Sequence, residues 1–157
     1  MRKINIICVG KSQEQYLREG IKSYEKKINR YCSLNWHVIK EANYSSGSRE
    51  SWLESEYNRL SKFLSERSYS IACDEKGSLL SSRELAQLFS KTANSGFSQM
   101  DFFIGGAYGL PEKICMKVNQ KLSFSPMTFT HQMVRLILIE QIYRAFTILN
   151  NENYHHD

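Results

Sequence analysis

The chain has 157 residues, enough for one domain with a substantial core and too few for two. Hydrophobic residues make up 41% of the sequence and charged residues 24%, a balance that excludes an intrinsically disordered chain. No apolar stretch reaches the length of a membrane span, and the amino terminus lacks a secretory signal pattern. We therefore expect one domain over residues 1–157, located in the cytoplasm and away from any membrane.

The first half of the chain predicts two strands, each followed by a helix. Lys3–Val9 is a nearly continuous apolar run, which is typical of a buried strand. In residues 34–39 apolar and polar side chains alternate, which predicts a second strand. Residues 13–31 and 50–66 have apolar side chains at helical spacing. The polar residues 43–48 are either a mobile lid or a connector.

The second half predicts three more strands, at residues 69–73, 100–104 and 121–124. The polar run 74–77 is predicted to close the first of them. The strand at residues 100–104 shows no alternation of apolar and polar side chains, which indicates a central strand covered on both faces. Residues 81–93 form a predicted helix that begins with a capping box of Ser81 and Glu84, and Pro111 is placed to open a short helix.

Residues 131–150 predict a long final helix with two apolar stripes, so the helix should be buried on two sides. Either it threads the core or a partner subunit covers its second face. The alternation of strands and helices predicts an α/β fold with a mostly parallel sheet between helices.

The positive charge is unevenly placed. Residues 1–70 hold 13 basic and 8 acidic side chains, whereas residues 71–157 hold 8 of each, so the whole net charge of +5 lies in the first half. An uneven basic face suits a polyanion such as RNA, and the alternative is a merely soluble surface.

The four cysteines, Cys8, Cys32, Cys73 and Cys115, are not at zinc-binding spacing. We interpret them as small hydrophobic side chains in a reducing compartment, and no metal site is predicted.

Two loops follow predicted strands in the second half. The glycine turn at residues 105–109 (GGAYG) is neither the G-x-G-x-x-G dinucleotide fingerprint nor a P-loop, which disfavours a nicotinamide or ATP enzyme. It either brings backbone close to a ligand or is simply a tight turn. Residues 123–129 (SFSPMTF) mix hydroxyls with apolar groups, so they either contact an adenine or satisfy their own backbone.

The polar, aromatic carboxyl terminus ends Tyr154-His155-His156-Asp157. It is either a frayed tail or a source of a histidine that moves a proton or grips a phosphate. His131, at the start of the last helix, is interpreted as a helix-start residue rather than a catalytic group.

In several of these motifs the chain resembles the ribosomal RNA large-subunit methyltransferase H family, which belongs to the SPOUT class of knotted methyltransferases. The matching segments are Phe103-Ile104-Gly105-Gly106, Gly109-Leu110, Leu122-Ser123-Phe124-Ser125, Met127-Thr128, His131-Gln132-Met133-Val134-Arg135, Glu140-Gln141, Tyr143-Arg144-Ala145 and Tyr154-His155. The resemblance spans the whole chain, although the motifs of the second half are the specific ones.

The resemblance implies a carboxyl-terminal trefoil knot, within about residues 70–157, and a homodimer with the final helix at its interface. It implies methylation of N3 of a pseudouridine in large-subunit ribosomal RNA, with S-adenosylmethionine bent between three loops. Carried over by position, the residues that would bind the cofactor are Cys73, Gly105, Phe124, Ser125, Pro126, Met127, Thr128 and Phe129.

Three residues are candidates for the chemistry that the resemblance implies. His155 is the first candidate for the base that receives the imide proton, with Tyr154 positioning the target base. Arg135 is a candidate to hold a phosphate or the developing negative charge.

Three positions depart from the family pattern. His156 replaces a terminal cation, Cys73 replaces a leucine at a backbone contact, and Tyr108 is larger than the usual residue, which would narrow the mouth of the pocket. Two other functions stay open. One is a non-catalytic RNA- or ribosome-binding module on the same fold, and the other is a different α/β enzyme with a nucleotide cofactor.

Overall fold

The computed structural model describes residues 3–155. It contains five strands and five α-helices in that range, in the order β1 Lys3–Val9, α1 Gln15–Ile28, β2 Ser33–Ile39, α2 Arg49–Leu60, β3 Tyr69–Leu79, α3 Ser82–Asn94, β4 Gln99–Ile104, α4 Glu112–Cys115, β5 Gln120–Ser123 and α5 His131–Leu149. The α/β alternation predicted from the sequence is confirmed.

The five strands form one parallel sheet in the order β2-β1-β4-β3-β5. Strand β4 lies at the centre, and all but its first residue are buried, which confirms the prediction of a central strand. Because every strand runs in the same direction, the carboxyl ends of β3, β4 and β5 open onto one edge of the sheet.

The two faces of the sheet carry different helices. On one face Ile4, Ile6 and Phe102 pack against α1, α3 and α5, and on the other Ile7 and Phe103 pack against α2 and α4. Residues of β1 therefore alternate between two cores, as strand geometry requires. The sequence shows no polar alternation there because both faces are covered.

A polar ladder crosses the sheet near the amino ends of its central strands. The buried Asn5 donates its side-chain N–H to Oδ1 of the buried Asp101 at 2.7 Å, and Asn35 donates to Asn5 Oδ1 at 3.3 Å. Gln99 also donates to Asp101, at 3.0 Å. These bonds compensate the cost of burying a carboxylate and fix the register of three strands.

The prediction that β3 ends at residue 73 is wrong. The strand continues to Leu79, and its pairing with β5 shifts so that Leu122 lies opposite both Cys73 and Ser78. Gly77 permits the shift, since a Cβ there would lie 2.6 Å from backbone atoms of Leu122. A polar run that looks like a turn is instead an irregularity inside a strand.

Two predicted helices are too long. Helix α1 ends at Ile28 rather than at residue 31, and α2 ends at Leu60, followed by a 3-10 turn at Ser61–Phe63. The apolar Phe63 and Leu64 still reach the core, but they do so from the turn and the extended segment after it. The capping box of Ser81 and Glu84 is confirmed at the start of α3.

Helix α5 lies on the sheet between α1 and α3. This position buries most of both apolar stripes within one chain, including Leu138, Ile139, Ile142 and Phe146. Val134 and Leu136 remain half-buried and Leu149 is 40% exposed, so cover of this helix by a partner subunit stays a prediction. No helix among residues 3–155 is long and apolar enough to cross a bilayer.

Candidate active site

A cleft of about 1420 Å³ opens at the carboxyl ends of β3, β4 and β5. Its walls include seven of the eight positions predicted to bind the cofactor: Cys73, Gly105, Phe124, Ser125, Met127, Thr128 and Phe129. Pro126 belongs to the same loop but does not line the cleft. The volume exceeds that of an ordinary small-molecule pocket, so the cleft has room for a second group beside a cofactor.

The glycine turn after β4 folds back tightly on itself. A Cβ on Gly105 would lie 2.3 Å from the carbonyl carbon of Gly109, and Gly109 has a φ of +83°. The Gly109 N–H donates to the carbonyl oxygen of Gly106 at 3.1 Å. Gly105 is therefore required by the approach of the chain to itself, while its backbone still faces the cleft.

The loop after β5 combines self-satisfied backbone with exposed apolar groups. The Ser123 hydroxyl donates to the Ser125 carbonyl oxygen at 3.1 Å, and the Ser125 hydroxyl accepts from the Met127 N–H at 2.9 Å. Met127 is 74% exposed and Phe129 is 41% exposed. Large apolar side chains that are this exposed beside a cleft are typical of a surface that a ligand or partner covers.

The two thiols in the cleft are poor nucleophiles. Burial, and then the neighbouring Asp74 carboxylate, raise the pKa of Cys73 and bring the pKa of Cys115 to about 11. Both cysteines therefore stay protonated at neutral pH, in agreement with their interpretation as small hydrophobic groups. Within residues 3–155, no group of three or more His, Cys, Asp or Glu side chains is arranged to hold a metal ion.

The charges that line the cleft are mostly negative. Three basic residues face five acidic ones: Arg49, Lys76 and Lys121 against Glu14, Glu50, Asp74, Glu75 and Glu112. This surplus of carboxylates favours a positively charged ligand and disfavours a chain of phosphates.

Arg135 lies outside the lining of the cleft. It is 1% exposed and donates through Nη2 to the Val9 carbonyl oxygen at 2.6 Å and through Nη1 to Ser12 Oγ at 3.1 Å. Its Nε has no hydrogen-bond partner among the described residues. This arrangement leaves the guanidinium inaccessible to a phosphate, so a role for Arg135 has to be electrostatic or positional.

Tyr154 and His155 follow α5 and belong to a second cluster, which they form with side chains of α5 and α1. The Tyr154 hydroxyl donates to Glu140 Oε1 at 3.1 Å and lies 3.3 Å from the Tyr24 hydroxyl. The Arg144 guanidinium lies over the Tyr154 ring and 3.3 Å from His155 Nδ1. Burial, and then the hydrogen bond to Tyr24 and the Glu140 charge, raise the pKa of Tyr154, so its phenol keeps its proton. His156, also singled out in the sequence, lies outside the described residues.

The two clusters are separated along α5. Val134 lines the cleft, and Arg144, which contacts Tyr154 and His155, is ten residues further on, or about 15 Å at 1.5 Å per residue. The structure therefore brings the predicted cofactor-binding residues together but does not join them to the tail of the same chain.

His131 is the histidine that faces the cleft. Burial, and then the positive charge of Arg135, lower its pKa, so the imidazole is neutral at pH 7. Sequence reasoning assigned it only a helix-start role. Its position directly after a loop at the carboxyl edge of the sheet was the signal that could have marked it.

Comparison with known proteins identifies the family of this chain. The sequence matches the family described as "Predicted SPOUT methyltransferase" over residues 2–155. The chain belongs to the SPOUT methyltransferase family.

Several SPOUT relatives are similar over their whole length. Proteins named "Ribosomal RNA large subunit methyltransferase H" from Geobacter metallireducens and Halothermothrix orenii are 44% and 43% identical, each covering 98% of this chain and 99% of the relative. One from Clostridium kluyveri is 39% identical over 97% of this chain and 98% of the relative.

A solved structure supports the same fold. A structure described as a probable methylase family protein from Haemophilus influenzae has a TM-score of 0.54 and 14% identity, and the match covers 98% of this chain and 70% of that one. This likeness supports the fold alone. The knot expected of a SPOUT methyltransferase stays a prediction.

Proposed function

We propose that this chain methylates N3 of a pseudouridine in large-subunit ribosomal RNA, using S-adenosylmethionine, as a homodimer in the cytoplasm. The enzyme would be one domain over residues 1–157 with a knot within about residues 70–157. The proposal rests chiefly on full-length similarity to proteins named for ribosomal RNA methylation.

The cleft fits S-adenosylmethionine on two grounds. Its acidic surplus complements the sulfonium and ammonium charges of that cofactor. The glycine turn and the loop after β5 both line the cleft, and those of their peptide groups that are not bonded within the turn or the loop would be available to an adenosyl group. The residues that would hold it are Cys73, Gly105, Phe124, Ser125, Pro126, Met127, Thr128 and Phe129.

For methyl transfer to N3, the protein has to position the methyl group next to the nitrogen and provide a group that accepts the proton. Bound S-adenosylmethionine supplies an electrophilic methyl group. His155 would accept the proton from N3 of the pseudouridine, and Tyr154, a neutral phenol, would orient the base by a hydrogen bond. The buried Arg135 would favour the negative charge that develops on the imide through its field rather than by contact.

His131 is a second candidate for the base, because it faces the cleft and is neutral at pH 7. Comparing His155→Ala with His131→Ala in a methylation assay separates the two assignments. Loss of methylation in the first variant alone supports His155, and loss in the second alone overturns that assignment.

The separation of the two clusters supports the homodimer. Arg144, which contacts Tyr154 and His155, lies about 15 Å along α5 from the cleft of its own chain, which favours a site in which a second copy provides these two residues. Each active site would then combine the loops of one subunit with Tyr154 and His155 from the other.

Mixed dimers test this arrangement. A subunit with a blocked loop (Ser125→Trp) and a subunit with a defective tail (His155→Ala) should each be inactive alone. Each mixed dimer should contain one intact site, so an equal mixture refolded together should reach about a quarter of the wild-type activity. Continued inactivity of the mixed dimers would contradict a shared site.

The function as a whole is tested by mass spectrometry of ribosomal RNA from cells with and without this protein. Loss of one methyl group from a pseudouridine supports the proposal, and an unchanged methylation map rejects it. Calorimetric titration with S-adenosylmethionine distinguishes the remaining alternative, since a non-catalytic RNA- or ribosome-binding module should give no heat.

A further inference from the structure

Three aromatic side chains from separate segments meet beside the cleft, and one of them, Tyr108, lines it. Tyr44 comes from the loop before α2, Trp52 from the first turn of α2 and Tyr108 from the glycine turn after β4. The ring centroids lie 5.3 Å apart for Tyr44 and Trp52, 4.9 Å for Tyr44 and Tyr108, and 5.0 Å for Trp52 and Tyr108. These distances are those of rings in direct contact. We call Tyr44, Trp52 and Tyr108 the aromatic triad.

Hydrogen bonds hold two rings of the aromatic triad in place. Glu56 is fully buried, and its Oε1 accepts hydrogen bonds from the Tyr44 hydroxyl at 2.5 Å and from the Ala42 N–H at 3.1 Å. The Trp52 indole N–H donates to the Ser46 carbonyl oxygen at 2.6 Å. The rings are thus held before any ligand arrives, which reduces the entropy that binding would cost.

The glycine turn makes room for this packing. A Cβ on Gly106 would lie 2.9 Å from the Tyr44 hydroxyl, so only glycine lets that ring approach the turn at its present distance. Tyr108, two residues later, packs on the other rings yet stays 39% exposed and lines the cleft. The triad therefore presents one open ring to whatever enters the cleft beside the cofactor loops.

Two kinds of ligand fit this surface poorly. A cation held in an aromatic cage needs rings far enough apart to surround it, and these rings already touch one another. A phosphate on the ring would meet the surplus of carboxylates that lines the cleft, so the backbone of a bound RNA has to stay outside the cleft and only a base can enter it. A flat, uncharged group stacked on the exposed ring face avoids both difficulties, and a nucleobase is such a group.

We propose that Tyr108, supported by Tyr44 and Trp52, is a stacking platform for an unpaired base of the RNA substrate. This inference rests on the proposed function. The RNA supplies the base rather than the cofactor, because the adenine is assigned to Gly105 and the loop after β5, whereas Tyr108 stands at the exposed tip of its turn.

Trp52 provides a built-in reporter. The chain has two tryptophans, so Trp36→Phe leaves Trp52 as the single emitter, 5.0 Å from the Tyr108 ring. A stem-loop RNA with an unpaired loop should quench its emission, and a fully paired duplex RNA of equal length should not. Equal responses to the two RNAs, or a response to S-adenosylmethionine alone, would overturn the platform.

Substitutions of Tyr108 give the second test. Stacking of one base on an aromatic ring corresponds to roughly 5- to 150-fold in affinity, so Tyr108→Ala should weaken binding of the stem-loop by that factor and reduce cofactor affinity much less. Tyr108→Phe keeps the ring and should bind like the wild type. If Tyr108→Ala binds the stem-loop as tightly as the wild type, the platform is refuted.

The tests of the stacking platform and the test of the proposed function can fail independently. Quenching that occurs only with the unpaired loop would support the platform even if the RNA map showed no missing methyl group. Conversely, a methyl group that depends on the protein, together with full RNA affinity of Tyr108→Ala, would uphold the enzyme and refute the platform.

Discussion

Arg135, in the second turn of α5, donates a 2.6 Å hydrogen bond to the carbonyl oxygen of Val9, 126 residues earlier in the chain. The bond ties the end of the first strand to the start of the last helix, directly behind the loop that leads from β5 into α5. The guanidinium is buried there with its Nε unpartnered within residues 3–155. Burying a charge in such a place is costly, and its field would act on the proposed reaction without contact.

Arg135→Ala should lower the free energy of unfolding by about 2–3 kcal/mol, because it leaves the Val9 carbonyl unsatisfied and opens a cavity. Arg135→Met fills most of that volume and should lie between the alanine variant and the wild type. Urea denaturation measures all three proteins. Unchanged stability of Arg135→Ala would show that the bond does not anchor α5.

Gly105→Ala should damage the cleft more than Gly109→Ala does. A Cβ on Gly105 would collide with backbone of Gly109 and Leu110, whereas a Cβ on Gly109 meets nothing within 4 Å and faces only an unfavourable φ. The expected losses of stability are about 1–3 kcal/mol for Gly105→Ala and about 1 kcal/mol for Gly109→Ala. Thermal unfolding and calorimetric titration with S-adenosylmethionine check both, and the reverse order of effects would contradict this account of the turn.

The basic end of α1 should contact RNA phosphates. Lys26, Lys27 and Arg30 are exposed there, with Lys27 5.0 Å from the centre of the Tyr24 ring, which in turn lies beside Tyr154. Lys26→Gln with Lys27→Gln should reduce the salt dependence of RNA binding, by about 0.7 in the log–log slope for each phosphate that no longer pairs with a lysine.

The matched control for that prediction is Lys113→Gln with Lys117→Gln, on α4 and just after it. These lysines pack around Tyr57 on the opposite face of the sheet. Filter binding of a stem-loop RNA at several salt concentrations should give the wild-type slope for this pair. Equal slopes for both double variants would mean that only total charge matters.

Stability should fall at alkaline pH in part through Tyr31. Burial, and then its 2.7 Å hydrogen bond to Glu152, raise the pKa of Tyr31 to about 12. Because the folded state holds this proton more tightly than the unfolded state, the resulting stability is complete below pH 10 and is lost as the pH rises towards 12.

Tyr31→Phe should therefore be less stable than the wild type at pH 8, with the difference shrinking between about pH 10 and 11.5. Urea denaturation across that range measures the trend, and Tyr16→Phe, at a residue 58% exposed, serves as the control. A difference that stays constant with pH would contradict a coupling through this phenol.

Local signals predicted much of the fold. The limits of β1, the capping box at Ser81 and the start of α5 at His131 follow from patterns a few residues long, and the structure confirms them. The continuation of β3 past Cys73 was missed, because Asp-Glu-Lys-Gly is typical of a turn and only the pairing with β5, distant in the sequence, makes it strand.

The parts of the site that consist of short sequence motifs could be predicted from the sequence. The parts that depend on contacts between residues far apart in the sequence could not. The loops with Cys73, Gly105 and Phe124 do converge at one cleft. The burial of Arg135 and the aromatic triad could not be foreseen, since these contacts join residues many positions apart and no local pattern encodes them.

The slot between α1 and α3 that receives α5 carries a consequence for biosynthesis. Until α5 has left the ribosome, α1 and α3 cover only part of the apolar face of β1 and β4, so the nascent chain exposes apolar surface that favours chaperone binding or aggregation. Docking of this helix completes the core and adds His131, Gln132 and Val134 to the lining of the cleft. A product that stops before α5 should therefore leave this core incomplete and fold poorly.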